Sequence, residues 1–205
     1  MQITLIRHSK TPGNAEYRYN GRTDEPLSAE GIALAQQAGA DPNVSTVYVT
    51  PLQRTRQTAA ILFPTAKQII VDDLREMDFG DFEGFNFADL EHNGAYRAWV
   101  DGGCIAPCPN GEGRAEFCRR VCAAFEGILR RAAEEGEESL TFVVHGGTIM
   151  AIMERYARPT GEFYSFRVKN AQGYRCRVEM NDQLSLVDAA PWEKIKSSLA
   201  ADTRH

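Results

Sequence analysis

Ile3-Thr4-Leu5-Ile6 is an apolar, partly β-branched run, and it predicts a buried first strand over residues 2–6. An irregular stretch containing Gly and Asn follows to about residue 27. Ser28 then has the character of a helix N-cap, ahead of a small-residue stripe at Ile32, Ala35, Gln36 and Ala38. Val47-Tyr48-Val49, within 44–50 and ended by Pro51, predicts a strand; 52–63 predicts a helix and 68–71 a further short strand. Residues 76–87, rich in Gly and aromatics, read as a loop over a site. Residues 86–101 suggest a short helix with Ala95, Trp99 and Val100 partly buried. After a turn-rich stretch at 107–113, Phe117, Val121, Ala124, Phe125, Ile128 and Leu129 recur at helical spacing and place the longest helix at 114–135. An unbroken apolar strand at 140–144 enters His145-Gly146-Gly147 and a helix through Tyr156. Residues 174–180 and 184–187, joined by Asn181-Asp182, read as an antiparallel hairpin.

Strands alternating with helices imply an α/β fold around a mainly parallel sheet. A chain of 205 residues, 43% of them hydrophobic, can bury one substantial core, so a single domain over 1–205 is expected. The 76–113 region reads as an insertion over the ligand end of that sheet, and 196–205 as a frayed terminus. No apolar stretch approaches the roughly 18 residues needed to span a bilayer. The N-terminus lacks a secretory pattern, so a cytoplasmic protein with no membrane partner is expected. A net charge of −5 argues against a nucleic-acid binder, whose affinity depends on a basic face. An odd set of cysteines (Cys104, Cys108, Cys118, Cys122 and Cys176) implies reduced thiols. The two C-x-x-x-C pairs make a structural zinc site conceivable; the plainer reading is small buried hydrophobes.

Reactive side chains gather where strands end. Arg7-His8 closes the first strand, with Thr11 and Asn14 just after it. Arg54 falls in the first turn of the 52–63 helix, where free N–H groups and the helix dipole favour anions. His145-Gly146-Gly147 repeats the strand-to-helix passage, its glycines allowing close approach to backbone N–H groups. A neutral imidazole is a competent nucleophile towards phosphorus, and guanidinium groups grip phosphate oxygens bidentately. Carboxylates at Glu76, Asp78, Asp81 and Glu83 lie in the loop above.

Four segments carry a family resemblance. They are Arg7-His8-Ser9-x-Thr11, the run from Thr50-Pro51-Leu52-x-Arg54 to Gln57-Thr58-Ala59, Glu76-x-x-Phe79-Gly80-x-Phe82-Glu83-Gly84, and His145-Gly146-Gly147. With Gly21 to Ser28 and Gly31 they resemble, in order and spacing, the histidine phosphatase superfamily over about residues 1–180. Within it the chain is most similar to small bacterial α-ribazole-phosphate phosphatase-like members. The resemblance implies a phosphoglycerate-mutase-like three-layer α/β/α sandwich. It implies His8 as the nucleophile that forms a phosphohistidine, and Arg7 and Arg54 as clamps on the phosphoryl oxygens. His145, the Gly146 backbone and Asn14 would complete the phosphate pocket. Glu76 would be the proton donor, with Glu83 structural. Arg22, with Arg18 and Tyr19, is a candidate substrate contact on the specificity loops at 15–23 and 77–113. The implied partner is a small-molecule phosphate ester, with neither metal nor cofactor required, and a homodimer is left open.

Two departures from the family pattern stand out. Ser9 replaces a usual Gly, and Asn110-Gly111-Glu112-Gly113 stands where members often carry G-G-E-S, which removes an N-cap hydroxyl worth about 1 kcal/mol. The leading reading is a phosphomonoesterase for a substrate such as α-ribazole phosphate or a sugar phosphate. A phosphoglycerate mutase is the alternative, and a non-catalytic phospho-ligand binding module is the second.

Overall fold

The structure, a computed structural model, describes residues 1–181 and 183–192. Six strands form one sheet: β1 (Gln2–Arg7), β2 (Thr46–Val49), β3 (Lys67–Ile70), β4 (Ser139–Val144), β5 (Gly173–Met180) and β6 (Leu184–Pro191). Their order is β3-β2-β4-β1-β5-β6. The first four are parallel; β5 runs antiparallel to β1, and β6 antiparallel to β5. The helices are α1 (Pro12–Ala15), α2 (Ala29–Ala38), α3 (Gln53–Leu62), α4 (Gly94–Asp101), α5 (Arg114–Glu134) and α6 (Gly146–Tyr156). Among the described residues no helix is long and apolar enough to cross a membrane.

The pleat of the parallel strands separates two cores, because successive side chains leave opposite faces. Ile6, Val47, Val49 and Val143 pack with Ala38 of α2 and with Ala59 and Leu62 of α3. Ile3, Leu5, Phe142 and Val144 instead face Phe117, Val121, Phe125 and Leu129 of α5 and Ile149, Ile152 and Met153 of α6. Strand β4 is therefore covered on both faces, which is why it reads as an unbroken apolar run. The resulting three layers match the expected sandwich.

Three local expectations are corrected. The 86–101 helix shrinks to α4, because Asn93 caps it by accepting from the Tyr96 N–H, and the chain before it forms turns. Its buried residues are Tyr96 and Trp99, while Ala95 and Val100 are exposed. On α2 the buried stripe is Gly31, Ala35 and Ala38, with Ile32 exposed. A side chain at position 31 would overlap the Lys10 carbonyl, so the helix presents its smallest face to the loop after β1. That loop also holds the one-turn α1, capped by Thr11, where no helix was expected. Asp182 of the hairpin turn and the 196–205 terminus lie outside the described residues.

Candidate active site

Parallel register builds the centre. Arg7 pairs with Val144, so the next residues, His8 and His145, leave the sheet side by side, and the His8 N–H donates to the Val144 carbonyl at 2.9 Å. Their rings meet edge-on with centroids 5.3 Å apart. Val49 pairs with Val143, which brings Thr50 to the same edge. Three strand ends thus converge outside the carboxyl edge of the sheet, where open α/β folds bind ligands.

His8 is oriented for attack. Its Nδ1 lies 2.7 Å from the Ser9 carbonyl, which can only accept, so Nδ1 carries the proton. Nε2 keeps its lone pair and makes no hydrogen bond among the described residues. Burial, then the charges of Arg54 and Arg7, hold the ring well below its ordinary pKa of 6.5, and it stays neutral.

His145 is held between Arg54 and the Thr50 hydroxyl, with its ring against that of His8. Arg54 Nε donates to its Nδ1 at 3.3 Å, so the proton belongs on Nε2, which donates to Thr50 Oγ1 at 3.0 Å. Thr50 and Thr55 continue the chain at 3.0 Å, and the Thr55 hydroxyl ends on the Leu52 carbonyl. Both nitrogens of the fully buried ring are bonded to protein, so His145 orients Arg54 and packs on His8. Arg54 is also committed. Its Nη1 donates to the Thr23 carbonyl, and Nη2 to the carbonyls of Asn20 and Gly21. Four bonds against five N–H donors leave at least one free for a phosphoryl oxygen. The carbonyls that grip Arg54 are held by Glu83, whose carboxylate accepts from the N–H groups of Gly21, Arg22, Thr23 and Phe79. Glu83 is structural, as expected.

Beside these groups opens a cavity of about 430 Å³ lined by Arg7, Glu76, Gly146 and Gly147, with Tyr19, Phe79 and Trp99 as aromatic walls. Arg7 Nη1 donates to the Val168 carbonyl at 2.9 Å, while its buried Nε has no partner. An unsatisfied buried guanidinium donor is costly, and a bound oxyanion would relieve it. Glu76 accepts from the Gly147 N–H at 2.9 Å and from the Met77 N–H at 3.1 Å. Burial raises its pKa above the ordinary carboxyl value; the two N–H bonds and the charges of Arg54 and Arg7 oppose that rise without cancelling it. The 76–113 segment does wall the site, through Glu76, Met77, Phe79, Trp99 and Cys104.

Asn14 does not line this cavity but a neighbouring hollow that shares Arg7 and Arg167 with it; its Oδ1 accepts from the Thr11 N–H and from Asn170 Nδ2. Arg22 stands apart: its side chain is exposed and lies 3.4 Å from Asp78. Sequence reasoning missed Arg114, Phe163, Tyr164 and Arg167, which line the far wall from α5 and the segment before β5. Nothing in their local pattern marks them, since the contact is long-range. The Thr50–Thr55 relay was also missed, although both residues stand within the quoted motif. Gly113 caps α5 with no side-chain bond, as the departure from G-G-E-S implied. In compensation, Glu112 accepts a fork from Arg120 at 2.9 and 2.7 Å and the Asp78 N–H at 3.0 Å. Among the described residues no group of three or more His, Cys, Asp or Glu could hold a metal ion.

The chain resembles known proteins over most of its length. The adenosylcobalamin/alpha-ribazole phosphatase of Salmonella typhimurium is 32% identical over 177 residues, covering 82% of this chain and 86% of its own. The crystal structure of the alpha-ribazole phosphatase from Shigella flexneri superposes with a TM-score of 0.75 at 28% identity, covering 91% of this chain and 94% of that one. A phosphoglycerate mutase from Bacillus anthracis shares the fold at a TM-score of 0.73, with 22% identity over 91% of each chain. The profile of the histidine phosphatase superfamily (branch 1) matches residues 3–187, and the chain belongs to that superfamily.

Proposed function

We propose that the protein is a phosphomonoesterase that hydrolyses a small soluble phosphate ester through a phosphohistidine on His8. The observation that carries this reading is the unprotonated Nε2 of His8, oriented by the Ser9 carbonyl next to the unpartnered Nε of Arg7. Nε2 attacks phosphorus in line and the bond to the leaving oxygen breaks. Glu76 gives its proton to that oxygen, so a free alcohol departs. Water then attacks the phosphohistidine, the Glu76 carboxylate takes the water's proton, and inorganic phosphate leaves with His8 neutral again. Arg7, the free donor of Arg54 and the Gly146 N–H offset the charge on the equatorial oxygens; positioning and charge are most of what phosphoryl transfer asks of a protein.

The similarity to alpha-ribazole phosphatases makes α-ribazole phosphate the first substrate to assay, followed by sugar phosphates. The mechanism is tested by rapid-quench labelling with a ³²P-ester. Label should appear on His8, stable to base and labile to acid, and His8→Ala should lose both label and turnover while keeping its circular dichroism spectrum. Label on a cysteine or an aspartate would overturn the assignment.

A further inference from the structure

The far wall of the cavity carries more positive charge than one phosphoryl group needs. Arg114 stacks on the Phe163 ring at 5.2 Å and Arg167 on the Tyr164 ring at 4.8 Å. Those rings belong to consecutive residues and meet edge-on with centroids 5.1 Å apart, so the two guanidinium groups are brought to one place. Both favour the anionic form of the same two neighbours, the Cys104 thiol and the Tyr164 hydroxyl, pulling their pKa values down, although burial outweighs them at each. Among the described residues neither guanidinium has an ion pair or a side-chain hydrogen bond, in a chain with 28 acidic residues. Stacking occupies their faces and leaves their N–H edges open, the edges that grip carboxylate or phosphate in pairs. Arg7, at the phosphoryl end, also lines this cavity, and Glu76 is the one carboxylate among its lining residues. Phe79, Trp99 and Phe117 form the walls of the same cavity.

We propose that Arg114 and Arg167 form a second anion subsite, so that the preferred substrate is a phosphomonoester whose leaving alcohol carries an anionic group on a flat or apolar body. The inference rests on the phosphatase reading only for which end of the substrate is the ester. Binding is therefore measured with non-hydrolysable ligands on the intact wild-type protein. Calorimetry compares (3-carboxybenzyl)phosphonate with its neutral carboxamide analogue. A charge-assisted pair should favour the carboxylate by about tenfold or more in Kd. In the double variant Arg114→Gln, Arg167→Gln the preference should fall to within about threefold, and in the Arg114→Lys, Arg167→Lys variant it should stay above that, because the charge is kept. Equal affinities in the wild type, or no binding of either phosphonate, would overturn the subsite. Discrimination between the phosphonates with no hydrolysis of 3-carboxyphenyl phosphate would uphold the subsite and overturn the phosphatase reading.

Discussion

Burial raises the pKa of Glu76, outweighing two backbone N–H bonds and two nearby guanidinium groups. A bound phosphate dianion adds a further upward push, since a like charge disfavours the carboxylate. Raised in this way, the group is acid when the ester arrives and base once the alcohol has left. The sign for activity follows: kcat/KM should fall as pH rises through the raised pKa, while His8, held neutral well below 6.5, imposes no loss on the mildly acid side. Glu76→Gln should abolish that alkaline fall. It should also slow alkyl phosphates by about 10²–10⁴-fold, the usual worth of proton transfer, and activated aryl phosphates much less in the burst phase. Equal slowing of both bursts would mean that Glu76 only positions the phosphate.

At the start of α6 the two glycines do different work. A Cβ on Gly146 would lie 3.4 Å from Arg7 Nε, a contact that a small shift absorbs, whereas one on Gly147 would overlap Glu76 Oε1. The Gly147 N–H also donates to that same carboxyl group. Gly147→Ala should therefore displace the proton donor and lower kcat on alkyl phosphates by about 10²-fold, the lower end for a lost acid–base group. Its thermal midpoint should not drop much, because Ala is favoured over Gly within a helix. Gly146→Ala is the milder change and should keep more activity. Wild-type turnover by Gly147→Ala would show that the donor does not need this helix end. The loop at 20–23 shows the same division between chemistry and support: Glu83 ties its N–H groups, its carbonyls grip Arg54, and Arg54 grips His145.

Two neutral imidazoles buried beside two guanidinium groups also set how the whole molecule responds to acid. Both His8 and His145 have pKa values well below 6.5 in the folded protein, with burial as the larger cause and Arg54 next. Below pH 6.5 the unfolded chain binds two protons that the native state refuses, so stability falls as pH falls. Glu76 acts in the opposite sense between 4.5 and its raised value, where the native state holds one extra proton. Unfolding well below pH 6.5 therefore takes up a net one to two protons, and stability should fall by about 1.4–2.7 kcal/mol per pH unit from these groups. Urea titrations at a series of pH values should show this slope, and His8→Ala should remove about one proton's share of it. An unchanged slope in His8→Ala would mean that His8 is already protonated in the native state.

Much was determined by sequence alone. The strands β1, β2 and β4, the long amphipathic α5 and the parallel α/β class follow from apolar periodicity, because burying one or both faces of an element leaves a repeat along the chain. The candidate site residues His8, Arg54, Glu76 and Gly146 stand in local motifs, where a strand end and the turn after it are contiguous in sequence. Only the tertiary structure decided what those motifs touch. The register Arg7–Val144 puts His8 beside His145, residues 137 positions apart in sequence that no local pattern connects. The carbonyls of 20–23 take up most of the Arg54 donors, and the Thr50–Thr55 relay takes one ring nitrogen of His145. The exposed ends of α4 and the second cationic wall at Arg114 and Arg167 likewise depend on which surfaces meet. A residue's partners are chosen by packing across the chain, whereas its spacing to its neighbours records only the element it belongs to.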